Sequence, residues 1–491
     1  MTTVAETVIV SPRARTPLKR RALSFLTIYL AASVMAAGAH LGLGASPFVV
    51  LLALGSVIVS VIPAAIYGWR DMPALFCLIG GARFATSALF WKLFEWSPLD
   101  EGLYAPVTSF IVVILGTVAV TLAALVAHII WRARPWFVEQ MNARGFAFLL
   151  VLSLFLVTTT FALNLSDTKI LGGFQKLVSN GLILLPLAYV GFNIYTSRPR
   201  ISYGLFLLLA VYFFASFIFN SRAGTAVMLM SLFATLFSYG YKPRLKTIMV
   251  ISPLIVFYVA IVSPAMLDAR YYRGIVGNSE LIGITVDNIR ARMMGRSVPK
   301  YYDPDEVAQQ YLMHYLKSGG EAAGRIVIVQ ELDFIVALAE SRGLVGTERL
   351  WSALIELLPS ALISDKSIIS APDYPFWIYG VLDPGAQTNL EQTIYGSAYT
   401  YGGFSFVFTG VFSGFLALFL FFRMFCPTFS NSAFAAFIVV SYAHPLTAGT
   451  MIDIYSVLVR SLPFELLLFW LVSLISRHAV GRTTYPAKAA F

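Results

Sequence analysis

Residues 107–131 read VTSFIVVILGTVAVTLAALVAHIIW and contain no aspartate, glutamate, lysine or arginine. About 20 apolar residues suffice for a helix to cross a bilayer, so this stretch is long enough to span one. The rest of the chain is similar: 58% of its 491 residues are hydrophobic and 12% are charged. Soluble proteins carry about 25% charged residues, and open strands cannot satisfy their backbone polar groups in lipid. The sequence therefore predicts an all-α polytopic membrane protein.

Outward from this span, the apolar runs predict about twelve transmembrane helices. They lie at residues 23–43, 48–68, 72–91, 107–131, 146–164, 177–195, 201–219, 224–240, 247–263, 403–422, 433–451 and 456–476. Cytoplasmic loops of membrane proteins are enriched in lysine and arginine. If the N-terminus is cytoplasmic, the cytoplasmic segments hold 18 basic residues and the short external loops hold four. We therefore expect both termini in the cytoplasm, and this topology explains the net charge of +10 without nucleic acid.

The predicted domain organisation has one large interruption. A basic tail at 1–22 precedes spans one to nine at 23–263, and spans ten to twelve at 403–476 precede a second tail at 477–491. Between the two sets of spans, residues 264–402 are predicted to form one large, mostly helical periplasmic loop. The first span is longer than the apolar core of a signal peptide, so we expect it to be retained. A pore would not need a polar insert of this size, so the loop is expected to handle a large polar molecule.

Helical patterns run through this loop. Asp303 and Pro304 mark one helix start, a second helix is predicted from Glu321 to Ser341, and a third begins at Thr347. The loop holds 11 of the 24 tyrosines of the chain but only two of its 39 phenylalanines. An aromatic ring with a hydroxyl tip suits a wet surface or a sugar-binding groove. An aromatic belt at the membrane surface explains the same enrichment.

Arginines are the strongest candidates for substrate contacts. Arg83 lies about midway along the third span, where a charge needs a cavity or a partner, and an ion pair with Glu465 is the alternative. Arg222 lies in an external hairpin between spans seven and eight, and Arg270 and Arg273 follow the ninth span. Guanidinium groups match phosphate oxygens in pairs. These outer arginines predict a site for a phosphate-bearing lipid, with simple anchoring to lipid headgroups as the alternative.

The short motifs in this chain that resemble catalytic motifs have simpler structural explanations. Asp303-Pro304-Asp305 has the form of a sugar-nucleotide site, but it lies outside the cell and fits a helix cap. Arg325 lies four residues after Glu321, so a helical salt pair explains it about as well as catalysis does. No GxxxxGK[ST] phosphate loop, HExxH metal helix or cysteine–histidine cluster occurs, and neither cysteine lies in the loop. No metal or cofactor is therefore predicted.

With these features, the layout resembles the O-antigen polymerase family, the Wzy-type polymerases of oligosaccharide repeat units. The resemblance covers residues 200–476 and includes the many spans, the late periplasmic loop and the external segment 220–224, NSRAG. The stretch 396–404, GSAYTYGGF, and the pair 358–359 followed by Lys366 are also similar to that family. An arginine followed eleven residues later by glycine, a pattern of some members, is missing from the external segments. The arginine roles of those members therefore do not transfer directly.

The resemblance implies a glycosyltransferase of the bacterial inner membrane that extends O-antigen or exopolysaccharide. Its donor would be a growing chain on undecaprenyl pyrophosphate, and its acceptor would be a new lipid-linked oligosaccharide. A hydroxyl of the acceptor would attack the anomeric carbon of the donor and release the lipid pyrophosphate. A chain-length regulator and a flippase in the same membrane are the expected partners.

Candidate residues follow from the needs of that reaction, since a pyrophosphate leaving group requires cations and an attacking hydroxyl requires a base. The predicted catalytic residues are Arg222 and three candidate bases, Glu331, Asp333 and His314. The predicted substrate contacts are Arg270, Arg273, Arg325, Arg83, Tyr399 and Tyr401.

Other functions use some of the same features. An O-antigen ligase shares the lipid-linked donor and differs in passing the glycan to another lipid. A twelve-span transporter is the rival from another class, but major-facilitator carriers place their long loop between two six-span halves, inside the cell, and no internal repeat is evident here. A structural scaffold for a polysaccharide assembly would make Arg222 dispensable.

Overall fold

The computed structural model describes residues 12–132, 134–137, 139–165, 172–199, 202–205, 207–208, 210, 222–241, 249, 257–270, 272, 276–296, 315–316, 326–348, 350, 374–381 and 392–478. This part of the chain is all-helical and contains no strand.

The helices of the described residues are named here in chain order. They are α1 (Pro12–Gly42), α2 (Pro47–Tyr67), α3 (Met72–Phe94), α4 (Pro106–Ile130), α5 (Ala143–Leu165), α6 (Gly172–Tyr195), α7 (Arg222–Ser238), α8 (Ser263–Arg270), α9 (Asn278–Met293), α10 (Val329–Arg342), α11 (Tyr374–Ile378), α12 (Ile394–Phe425), α13 (Ala433–Tyr442), α14 (Pro445–Ala448) and α15 (Met451–Arg477). Wider π turns interrupt α3 at Ala82–Thr86 and α15 at Val457–Ser461, and a third, Tyr258–Val262, precedes α8.

Six helices of the described part are long and apolar enough to cross a membrane. They are Ser24–Gly42 of α1, then α2, α3, α4, α12 and α15, and they coincide with six predicted spans. Four further apolar helices are shorter and fall on four other predicted spans: Ala143–Thr159, Asn180–Tyr195, Val227–Ser238 and Ala433–Ala448. The remaining predicted spans, 201–219 and 247–263, lie largely outside the described residues. The all-helical class is confirmed, and the number twelve stays a prediction.

Helix α12 folds back on itself within the bundle. A straight helix would separate residues 397 and 414 by about 26 Å, because each residue advances about 1.5 Å. Yet the hydroxyl oxygen of Ser397 accepts a hydrogen bond of 2.8 Å from the Met451 N–H, and a Cβ built on Gly414 would lie 3.3 Å from Ile454. Met451 and Ile454 are only three residues apart on α15, so the two parts of α12 run alongside each other.

The reversal lies at Gly402 and Gly403. Their φ/ψ angles are −159°/23° and 64°/−157°, and neither pair is helical. A positive φ with an extended ψ is accessible almost only to glycine, which explains the residue at position 403. Segment 394–401, called here the fold-back helix, is buried inside the bundle, whereas the sequence had placed it at the end of the periplasmic loop.

The predicted eleventh span, 433–451, is broken rather than continuous. Helix α13 ends at Tyr442, and α14 is a short piece that ends before Gly449. A Cβ on Gly449 would lie 2.4 Å from the Pro445 carbonyl oxygen, so the tight turn requires a glycine. Helix α15 then starts with a capping box between Thr450 and Asp453, which satisfies the first backbone N–H groups of the new helix.

Tyr395 fixes the depth of the fold-back helix. Its ring lies against Gly116, near the midpoint of α4, and stacks on Phe84 of α3 at a centroid distance of 4.3 Å. The hydroxyl of Tyr395 points toward Gly80, also near the middle of α3. The fold-back helix therefore begins about halfway through the bundle.

We expect the Gly116→Ala variant to be less stable than the parent protein. Its new Cβ would lie 2.6 Å from the ring of Tyr395, which is fully enclosed, and overpacking of this kind costs about 1–3 kcal/mol. The matched control is Gly38→Ala, because nothing lies within 4 Å of a Cβ at Gly38 on α1. Thermal unfolding of both variants in detergent checks the prediction, and equal midpoints would contradict this packing of Tyr395.

Candidate functional site

We call the end of the bundle that carries residues 95–105 and 326–346 the loop end. Asp333 holds this end together. This carboxylate accepts hydrogen bonds from the backbone N–H of Tyr104 (2.6 Å) and Ala105 (3.0 Å) and from the Ser109 hydroxyl (2.7 Å). Helix α4 starts here and has no side-chain cap of its own. Asp333 of α10 therefore caps a helix that lies 224 residues earlier in the chain.

This geometry argues against the role of general base that the sequence suggested for Asp333. Both carboxylate oxygens are occupied by donors from α4, and the residue is 1% exposed. Burial raises the pKa of this carboxyl, and the hydrogen bonds from Tyr104, Ser109 and Ala105 oppose that rise. Asp333 is accordingly a structural residue that joins α10 to the bundle.

Lys92 makes a second buried connection at the loop end. Its ammonium group donates to the carbonyl oxygens of Glu101 and Tyr315, each at 2.9 Å, and lies 4.6 Å from the Tyr315 ring centroid. The Tyr315 hydroxyl in turn donates to the Leu99 carbonyl at 2.9 Å. From the sequence, Lys92 was only one of the basic residues of the external loops. In the structure it is buried and contacts Tyr315.

Five of the loop tyrosines whose side chains the structure describes are buried. Tyr315, Tyr379, Tyr395, Tyr399 and Tyr401 are all at most 8% exposed. Their rings fill the core between α10, the fold-back helix and the rest of the bundle, because large rings gain most when packed. The rings of Tyr399 and Tyr401 are thus packed in the core, and their predicted contact with substrate stays a prediction.

Arg83 lies in the π turn of α3, as the twelfth of its 23 residues. One Nη atom donates to the His444 Nδ1 at 3.2 Å and to the Thr447 hydroxyl oxygen. The alternative partner considered from sequence, Glu465, accepts a hydrogen bond from the Tyr442 hydroxyl. Arg83 thus joins the middle of the third span to the break that follows α13.

The fold-back helix starts at the same place. The N–H of Thr393, its N-cap residue, donates to the Ala448 carbonyl at 3.2 Å. Ala448 directly follows Thr447, the residue that Arg83 contacts. Three departures from regular helix therefore meet around 447–448: the π turn of α3, the break before α15 and the start of the fold-back helix. Irregular backbone inside a membrane is tolerated where it is buried in protein or lines a cavity, and π turns are frequent at functional sites.

Glu331 lies on α10, which packs against both the π turn of α3 and the fold-back helix. Its carboxylate is 8% exposed, and one oxygen accepts from the Gln330 amide at 3.2 Å. Ile335, one helical turn further on, lies against Gly396 of the fold-back helix. Glu331 therefore lies on a helix that packs against the π turn that contains Arg83.

Arg222 is the first described residue of α7. The other end of α7, Ser238, donates from its hydroxyl to the Phe429 carbonyl at 2.7 Å and accepts from the Asn431 N–H at 2.9 Å. Both partners follow the end of α12, at the end of the bundle opposite the loop end. A helix of 17 residues is about 25 Å long, so α7 runs from Ser238 toward the loop end, with Arg222 at its far end.

The remaining predicted residues are not placed at the site. Arg270 is the last residue of α8, and the structure describes its backbone only. Arg273, His314 and Arg325 lie outside the described residues. Within the described ranges, no cluster of three or more histidine, cysteine, aspartate or glutamate side chains could hold a metal ion.

The contact between Arg83 and His444 joins residues 361 positions apart and was not predicted from the sequence. Two local signals pointed to it. Pro445 follows His444 directly, and Gly449 lies four residues later, so this span contains two helix-breaking residues beside an ionisable one.

No protein-family model matches this chain, and comparisons with curated proteins and with solved structures yield no match.

Proposed function

We propose that this protein is a polymerase that joins undecaprenyl-pyrophosphate-linked oligosaccharide repeat units at the periplasmic face of the bacterial inner membrane. In this proposal the chain crosses the membrane twelve times, both termini are cytoplasmic, and residues 264–402 are periplasmic apart from the fold-back helix. The loop end is then the periplasmic end, where lipid-linked donor and acceptor meet.

The observation that supports the proposal is that α10 lies at the loop end and that α7 runs from Ser238 toward the same end. Arg222 is the first described residue of α7, and a guanidinium group matches the oxygens of a pyrophosphate. Helix α10 brings the carboxylate of Glu331 to the same end. Cation and carboxylate are the two groups that displacement of a pyrophosphate by a hydroxyl requires.

The proposed reaction assigns each group one task. The acceptor hydroxyl loses its proton to Glu331, and its oxygen forms a bond to the anomeric carbon of the donor. The bond between that carbon and the pyrophosphate oxygen breaks, and the pyrophosphate leaves with the electron pair. Arg222 stabilises the charge that develops on the leaving group, with Arg270, Arg273 and Arg325 as further cations and His314 as the second candidate base.

A transporter for polysaccharide or its lipid carrier is the second candidate. The fold-back helix and the broken span favour it, because secondary transporters bind substrate near the membrane midplane between discontinuous helices. An O-antigen ligase differs from the polymerase only in the acceptor lipid.

The test is a gel profile of surface polysaccharide and lipid-linked intermediates from a strain that lacks this protein. A polymerase predicts loss of the long-chain ladder with a single capped repeat unit remaining. Long chains that accumulate on the carrier lipid would indicate a ligase instead. An unchanged profile would contradict both and leave the transporter.

A further inference from the structure

We infer that residues 131–142, called here the connecting segment, form a docking surface for the headgroups of anionic phospholipids. The segment joins the end of α4 to the start of α5. Helix α4 begins at the loop end, so the connecting segment lies at the opposite end of the bundle. This surface is separate from Arg222 and Glu331, and the inference does not depend on the polymerase reaction.

Contacts with three helices hold the connecting segment in place. The N–H of Trp136 donates to the carbonyl oxygen of Met424, near the end of α12, at 2.8 Å. The carboxylate of Glu139 accepts hydrogen bonds of 3.1 and 3.0 Å from the first two N–H groups of α13. The side-chain amide of Asn142 donates to a carbonyl oxygen of α15 at 2.8 Å. The segment is therefore a fixed part of the surface at this end.

The charges of the connecting segment are distributed unevenly. Its sequence contains two arginines, Arg132 and Arg134, and one acidic residue, Glu139. Both arginines are exposed, and no described residue supplies an acceptor for either guanidinium group. The carboxylate of Glu139, in contrast, is turned toward α13 and occupied by its donors. The exposed surface of the segment therefore carries positive charge only.

The end of α4 places these arginines at the membrane surface. Helix α4 is long and apolar enough to span a membrane, and its last two residues, Ile129 and Ile130, are 59% and 57% exposed. Exposed isoleucines at the end of a span are favourable where lipid covers them. Arg132 follows two residues later, so its guanidinium group lies at the depth of the lipid headgroups.

Aromatic rings complete the surface. Trp136 is exposed, and its ring meets Trp131 edge-on at a centroid distance of 5.0 Å and Phe425 of α12 at 5.9 Å. Tryptophan favours the interface between membrane and water, because its ring is apolar and its N–H is polar. Guanidinium groups match phosphate oxygens, and basic residues beside a span attract anionic lipids. An anionic phospholipid matches the isoleucines, the tryptophan and the arginines together.

Native mass spectrometry of the purified full-length protein tests this inference. The protein is delipidated in detergent and offered equal amounts of phosphatidylglycerol, whose headgroup is anionic, and phosphatidylcholine, whose headgroup has no net charge. We expect the parent protein to retain phosphatidylglycerol preferentially. The Arg132→Gln/Arg134→Gln variant should show a preference lower by about tenfold or more, because each arginine beside an anionic lipid contributes about fivefold.

The matched control is the Arg144→Gln/Arg198→Gln variant, which removes the same charge from exposed arginines at the same end of the bundle. We expect it to keep the parental preference. Unfolding midpoints in nanodiscs of phosphatidylcholine verify that both double variants fold. The single variants Arg132→Gln and Arg134→Gln give the same comparison, each with a smaller loss.

Three outcomes would overturn the inference. The first is equal retention of the two lipids by the parent protein, and the second is an unchanged preference in Arg132→Gln/Arg134→Gln. The third is an equal loss in the control variant, because the preference would then come from the total charge of this end. A dimer that dissociates in Arg132→Gln/Arg134→Gln would identify a second copy of the chain as the occupant and would also overturn the lipid assignment. Because Arg222 and Glu331 are intact in all of these variants, the result is independent of the polysaccharide profile.

Discussion

Arg222→Ala is expected to abolish chain extension, with a loss of at least about 100-fold in the rate of polymer formation. The proposed reaction releases a pyrophosphate at the loop end, and Arg222 is the first described residue of α7, which runs toward that end. Loss of a donor that stabilises charge in the transition state typically lowers the rate by this amount. The measurement is the yield of long-chain polysaccharide in a null strain that is complemented with the variant.

The control for this prediction is Arg144→Ala, which removes an arginine of the opposite end that is exposed to solvent. Both variants should reach the membrane at parental abundance. Full activity of Arg222→Ala at normal abundance would refute the assignment of the pyrophosphate to this arginine. It would also favour a scaffold or transporter over the polymerase.

Asp333→Ala is expected to destabilise the protein by about 2–5 kcal/mol. The substitution leaves three buried donors without their acceptor, namely the N–H groups of Tyr104 and Ala105 and the hydroxyl of Ser109. It also removes the cap of α4 and the contact that fastens α10 to the bundle. Thermal unfolding in detergent and abundance in the membrane measure the effect.

Glu340→Ala provides the matched control, because Glu340 is an exposed carboxylate on the same helix. We expect this variant to unfold at the parental temperature. The comparison also separates two roles for Asp333. A general base would give a stable, abundant and inactive Asp333→Ala protein, and that outcome would contradict the structural role derived from the three hydrogen bonds.

Some residues of the candidate site could be identified from local sequence, whereas others required knowledge of long-range contacts. Arg83 could be singled out from sequence because a charge midway along an apolar run is costly by itself. The sequence could not decide which of Glu331 and Asp333 is the base, because the two carboxylates are only two residues apart on one helix. Only the contact of Asp333 with α4 separates them. The burial of Tyr399 and Tyr401 could not be read from the sequence either, because a tyrosine ring is equally suited to a wet groove and to a core.

The sequence by itself determined that this is an all-helical protein with membrane-spanning helices. The free energy of transferring a helix into lipid sums over about 20 consecutive residues, so the signal is local and survives without knowledge of the fold. Only the tertiary structure decided that α12 reverses at Gly402 and Gly403, that Asp333 caps α4, and that Arg83 meets His444. These features depend on contacts between residues that are up to 361 positions apart, and no local pattern encodes which of many polar side chains will meet.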